Sequence, residues 1–186
     1  EQIRVNGEAP AFCINSRFYS YATFGQHISR IRKAVRDMQP ATGRIGLVTN
    51  DDIETYASIY AVWLEGLAYV PLHHHQPRER SLEVISQAEV DVVLNSVHPA
   101  DYFHQRTVFT AELTPVELSL APVPVPETDL AYILFTSGST GKPKGVPLMR
   151  KNLSAFMDSF MQAGFTVSGT DRCLQCFDLT FDVSVQ

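Results

Sequence analysis

Three short apolar runs, "IGLVTN" at 45–50, "AYVPL" at 68–72 and "VDVVLN" at 90–95, are separated by two segments with the spacing of a helix. The first run stops at Asn50, Asp51 and Asp52, side chains that cap helix N-termini. Ile53, Tyr56, Ala57, Tyr60, Ala61 and Leu64 then recur on one helical face, and Gly66 sits where a left-handed C-terminal cap is wanted. Pro77 to Ala88 reads as a second helix with proline at its first turn. Strands that are apolar at nearly every position are buried on both sides. The alternation therefore predicts an α/β fold, with parallel strands flanked by helices.

Upstream, Phe24, Ile28, Ile31, Val35 and Met38 mark an amphipathic helix that Pro40 ends. Downstream, "APVPVPETD" at 121–129 carries three prolines in alternate positions, a composition that holds a chain extended and cannot serve an interior strand. It is expected to connect a first α/β portion, 1–120, to a second, 130–186. The second portion opens with the strand "LAYILF", passes through a polar stretch, and continues in a helix whose Leu153, Phe156, Met157, Phe160 and Met161 share one face before Gly164.

Hydrophobic residues make up 45% of the chain, enough for the core this pattern requires. A formal charge of -5 and a pI near 5.6 speak against a general nucleic-acid surface, and no apolar run approaches the roughly 18 residues of a membrane span. Cys13, Cys173 and Cys176 make no even disulfide framework, and no charged-then-apolar leader is seen, so the cytoplasm is the expected compartment. The chain begins without Met and stops at "FDVSVQ" inside a strand-like run, and it reads as a piece of a longer protein.

The polar stretch "TSGSTGKPKG" at 136–145 carries the chemistry. Gly138, Gly141 and Gly145 let the backbone approach a ligand closely, so that successive N–H groups can cradle an anion. Thr136, Ser137, Ser139 and Thr140 add hydroxyl donors, and Lys142 and Lys144 bring positive charge to an otherwise acidic chain. A polyphosphate suits such a loop, and a plain polar surface turn is the alternative reading. Neither the P-loop nor the G-x-G-x-x-G pattern is met, because Pro143 stands where a P-loop needs glycine before Lys-Ser/Thr.

In residue order this string closely resembles the phosphate-binding signature of the adenylate-forming, or AMP-binding, superfamily. Three further segments resemble that family in the right order: "YSYATFGQHISRIRKAVR" (19–36), "WLEGLAYVPLHHHQPRER" (63–80) and "CLQCFDLTFDVSV" (173–185). The last is similar to the strand bearing Phe-Asp-x-Ser-Val in amino-acid activators. The resemblance implies an N-terminal fragment of an amino-acid adenylation domain or of a D-alanine–carrier protein ligase. Such an enzyme joins an amino-acid carboxylate to ATP with release of pyrophosphate, then passes the acyl group to the phosphopantetheine thiol of a carrier protein.

It further implies that Thr136, Ser137, Gly138, Ser139, Thr140, Gly141 and Lys144 hold the ATP phosphates, with Thr140 near a phosphate-bound Mg²⁺. An Asp of the Phe-Asp motif would receive the substrate's α-ammonium group. Two registers compete, Phe177-Asp178 and Phe181-Asp182; the second is followed by Val183, Ser184 and Val185, which favours Asp182. A carboxylate at the end of a buried strand needs such a cation, unless Asp182 merely caps a local turn. The family's adenine-contacting segment, ribose-binding Asp and catalytic Lys have no counterpart here, so no catalytic residue is assigned and the fragment is expected to be inactive alone. An acyl- or aryl-CoA ligase, or an inactive nucleotide-binding module, is the alternative.

Two positions depart from the family: His73, His74 and His75 replace the usual Asp-Pro, and Met149-Arg150 replaces Glu-His. The three histidines read as a solvated loop, because adjacent side chains diverge and no Cys, Asp or Glu stands at ligand spacing. Cys173 and Cys176 read as small buried residues, and His27 and Trp63 as packing residues on helices.

Overall fold

A computed structural model describes residues 1–97, 105–137, 142–169 and 171–181. A short helix, α1 (Gln2–Val5), and an antiparallel hairpin of β1 (Pro10–Ile14) and β2 (Arg17–Ser20) precede α2 (Tyr21–Met38). The hairpin turns on Asn15 and Ser16, both at positive φ. Then follow β3 (Arg44–Thr49), α3 (Ile53–Leu64), β4 (Ala68–His73), α4 (Arg78–Gln87), β5 (Val92–Asn95) and β6 (Arg106–Phe109). The described elements end with β7 (Leu130–Ser137), β8 (Pro143–Met149) and α5 (Arg150–Gln162).

Six strands form one sheet in the order β6-β5-β3-β4-β7-β8, parallel throughout except for the antiparallel β7–β8 pair. The period of two along each strand explains the continuous apolar runs. Ile45, Leu47, Tyr69, Val92, Leu94, Tyr132 and Leu134 enter one buried cluster with α2 and α3, whereas Val48, Val70, Leu72, Val93 and Ile133 enter a second with Val84 and Ile85 of α4. Gly46 keeps this second layer close, since a Cβ there would meet Val90 Cγ1 and Val93 Cγ2 at 3.1 Å each.

Local chemistry sets the helix ends. The Ser20 side chain accepts from Thr23 N–H, and the Asp52 carboxylate accepts from Thr55 N–H, so α2 starts on a hydroxyl cap and α3 on a carboxylate cap. Gly66 takes φ +77° just past α3, as its position predicts. The proline segment at 121–129 forms no helix or strand; Val123 N–H donates to Leu64 O at 2.8 Å, and Val125 packs where a Gly66 side chain would lie. Beyond it, β7 joins the edge of β4, so strands from both sides of the prolines share one sheet.

Several charged contacts have no counterpart in the sequence reading. Arg32, with only 3% of its side chain exposed, donates to Glu65 Oε1 at 2.6 Å and to Ser119 O at 2.9 Å, and Arg36 holds the same carboxylate. Burial alone would raise the Glu65 pKa, but hydrogen bonds from Arg36 and Arg32 outweigh it and hold the carboxyl below its ordinary value. His27 is more than a packing residue: its Nδ1 lies 2.6 Å from Glu54 Oε1, which Arg30 also contacts. Trp63 both packs against Tyr69 and donates Nε1–H to Ala131 O at 2.9 Å, tying α3 to β7.

Several elements were unforeseen: α1, the β1–β2 hairpin, β6 and, at the polar stretch, β8. The polar stretch leads into an antiparallel strand, β8, before α5 begins, and so forms a hairpin. Pro143 and Pro147 mask the strand in the sequence. As an edge, β8 tolerates prolines that an interior strand would not.

Candidate functional site

In parallel α/β sheets ligands gather outside the carboxyl ends of the strands. Here that edge carries Thr49 and Asn50 after β3, His73 to His75 after β4, Asn95 and Ser96 after β5, and Thr136 and Ser137 at the end of β7. β7 makes the transition abruptly: Ala131 to Leu134 are buried, and Thr136 and Ser137 are exposed. An apolar strand is therefore clamped in the core while its last two residues offer hydroxyls to solvent.

β8 returns alongside, pairing Thr136 with Lys144 and Ser137 with Pro143. The Thr136 hydroxyl points to Lys144 O at 3.5 Å, and the exposed Lys144 shares this end of the hairpin with the two hydroxyls. Gly145 faces the Phe135 ring, and a Cβ there would stand 3.0 Å from Phe135 Cζ, so glycine permits the close approach of the two strands. Lys142 lines a surface groove with Glu79 and Glu83 of α4. Hydroxyl donors and a lysine at a rigid strand end suit a triphosphate chemically.

Of the residues the sequence singled out, the structure brings Thr136, Ser137 and Lys144 together. Gly138, Ser139, Thr140, Gly141 and Asp182 lie outside the described residues. The strand expected over 173–185 is not formed across its described part: 171–181 has no regular structure. Cys173 and Cys176 are exposed, contrary to the buried reading, because no described strand lies alongside to build a layer over them. The apolar face of α5 forms as predicted, yet none of its residues is buried.

The histidines are partly engaged. His74 Nδ1 lies 2.6 Å from Thr49 O, and His73 Nε2 lies 2.7 Å from Asp178 Oδ2. Among the described residues no group of His, Cys, Asp and Glu could hold a metal ion. At the ends of β3 and β5, Asn50 Nδ2 donates to Asn95 Oδ1 at 3.1 Å and to Ser96 Oγ at 2.8 Å, and Ser96 reaches Asp52. Sequence reasoning missed the His73–Asp178 contact. Nothing local to either residue signals a partner so far along the chain.

The model of the AMP-binding enzyme family matches residues 1–186. The chain belongs to that family. Family members similar to it include tyrocidine synthase 1 of Brevibacillus parabrevis, 32% identical over 100% of this chain and 18% of the relative. Gramicidin S synthase 1 of Brevibacillus brevis is 31% identical over 76% of this chain and 13% of the relative. The chain thus spans less than a fifth of the curated relatives it matches. Among solved structures, the nonribosomal peptide synthetase FmoA3 superposes with a TM-score of 0.83 at 26% identity, in forms bound to alpha-methyl-L-serine-AMP and to AMPPNP. It matches 99% of this chain and 21% or 20% of FmoA3. Among the described residues no helix is long and apolar enough to cross a membrane.

Proposed function

We propose that the protein containing these residues is an ATP-dependent ligase that activates an amino acid as its aminoacyl-adenylate, with release of pyrophosphate, and delivers it to the phosphopantetheine thiol of a carrier protein. The observation that carries this reading is the group of Thr136, Ser137 and Lys144 at the exposed end of buried β7, in a chain matched throughout to AMP-binding enzymes. Similarity to tyrocidine synthase 1 and to aminoacyl-AMP-bound FmoA3 supports an amino acid as the substrate and a peptide-synthetase context over a D-alanine–carrier protein ligase. The cytoplasm, with its ATP, is the compartment this reading implies.

In this reading Thr136, Ser137, Gly138, Ser139, Thr140, Gly141 and Lys144 grip the β- and γ-phosphates, holding the α-phosphorus in line with the attacking carboxylate. Mg²⁺, when bound through the phosphates beside Thr140, supplies further neutralisation of their charge. Asp182 receives the α-ammonium group, which fixes the carboxylate's approach. The hairpin contributes position and charge, and the nucleophile is the substrate's own oxygen.

The test is amino-acid-dependent exchange of labelled pyrophosphate into ATP by the full-length protein. One or a few amino acids are expected to support exchange, and Lys144→Ala is expected to reduce it by about tenfold or more, as for loss of a charge-assisted phosphate contact. Exchange driven by fatty or aromatic acids alone would replace this reading with an acyl- or aryl-CoA ligase and remove the role given to Asp182.

A further inference from the structure

His73 ends β4, and its imidazole is fixed before it meets any partner. The His75 N–H donates to His73 Nδ1 at 3.0 Å, and Gln76 N–H donates to His73 O at 3.0 Å. With Nδ1 acting as acceptor, the ring carries its proton on Nε2, and Nε2 is the atom 2.7 Å from Asp178 Oδ2. The contact is therefore a hydrogen bond from the Nε2–H to a carboxylate. The other oxygen of Asp178 is also taken: Oδ1 accepts from Thr180 N–H at 2.8 Å and from the Thr180 hydroxyl at 2.7 Å, while Phe181 N–H closes the turn onto Asp178 O.

Two consequences follow. The carboxylate of Asp178 is committed within the protein, so the register with Phe181-Asp182 is the one left for a substrate ammonium group. In addition, the turn at 178–181 is tied to the sheet edge at a particular place. β4 and β7 pair at Tyr69 and Tyr132, and His73 and Thr136 each stand four residues further on, at corresponding positions of neighbouring strands. The histidine that holds Asp178 thus belongs to the same end of the sheet as the phosphate-binding hairpin.

We propose that His73 and Asp178 are positioning residues, a hydrogen-bonded pair that docks the turn at 178–181 onto the carboxyl end of β4 and so sets the acid substrate's site relative to the phosphate hairpin. This rests on the adenylation reading above, but not on which class of carboxylic acid is activated. Asp178 shows the mark of the arrangement: burial would raise its pKa, yet hydrogen bonds from Thr180 and the interaction with His73 hold it below the usual carboxylate range.

The experiment measures pyrophosphate exchange by the full-length protein, titrating separately ATP and whichever carboxylic acid supports exchange. Asp178→Asn keeps the turn-closing acceptor but turns a donor toward His73, and His73→Ala removes the ring. Each is expected to raise KM for the acid by about tenfold, with KM for ATP changed by less than about twofold. The double variant is expected to be no worse than either single one, and His73→Gln, which restores an amide donor near the Nε2 position, to recover to within about threefold of the parent. A parallel rise in KM for ATP, additive losses in the double variant, or a His73→Gln as poor as His73→Ala would overturn the inference. A parent protein that exchanges with fatty or aromatic acids alone would sink the amino-acid reading while leaving this test intact; one that exchanges with no acid would remove both.

Discussion

The sheet through β8 and the stretch from α5 onward handle the same kind of residue in opposite ways. In the sheet, Ile45, Tyr69, Val70, Val92, Val93 and Leu94 are wholly buried between two helical layers. In α5 and beyond, Phe156, Met157, Met161, Phe165, Leu174 and Phe181 remain 42% to 87% exposed. Both regions carry correct local patterning, so amphipathic spacing is enough to write a helix but not to bury it. Burial requires a second layer, and only the strand-and-helix alternation of the first region supplies one from these residues. The β7–β8 hairpin grows out of the first region and Asp178 belongs to the second, which makes the His73–Asp178 pair a seam between the two.

The contrast can be broken most forcefully within the first region. Glu65→Ala would leave Arg32, with 3% of its side chain exposed, buried without its carboxylate; a loss of about 3 kcal/mol in denaturant unfolding is expected. Next comes the core itself. Ile45→Ala is expected to cost about 3 kcal/mol by the same measurement, from lost transfer energy and the cavity left behind. Met157→Ala, at a side chain 43% exposed, should cost less than about 0.5 kcal/mol in the 186-residue chain. A cost for Met157→Ala in the full-length protein that approaches that of Ile45→Ala would show that the α5 face is covered there.

Acid sharpens the same comparison. The Glu65 pKa is depressed in the folded state, so its contribution is fully present above the ordinary value of 4.5 and is lost as pH falls from there through the depressed value. Unfolding midpoints across that window should fall more steeply for the parent than for Glu65→Gln. The smallest effect is expected at Tyr69, whose hydroxyl is buried without a hydrogen-bond partner among the described residues, an environment that pushes its pKa up. Tyr69→Phe removes an unsatisfied group from a well-packed ring. The thermal midpoint should hold or rise slightly, and a clear drop would reveal a partner for that oxygen.

Much of the fold was legible because its signals are local. The cap at Asp52 and the positive φ of Gly66 each follow from a few neighbouring residues. The buried strands declared themselves by having no polar face. β8 did not, because two prolines, a glycine and a lysine make an edge strand look like a loop, and only the bonds to β7 reveal it. The cysteines of 173–176 misled for the opposite reason: apolar neighbours suggest burial, but burial is a property of what lies alongside.

The candidate site divides along the same line. The order of hydroxyls, glycines and lysines over 136–145 pointed to the family, since backbone freedom and donor chemistry are carried by residue type and sequence. The sequence by itself thus determined the α/β alternation and the chemical character of the hairpin. Only the tertiary structure decided that Arg32 and Arg36 meet Glu65, that Trp63 ties α3 to β7, and that His73 receives Asp178. Those contacts join residues far apart in the chain. They exist because the folded sheet and the helices packed on it bring elements distant in sequence side by side, a proximity that no local pattern encodes.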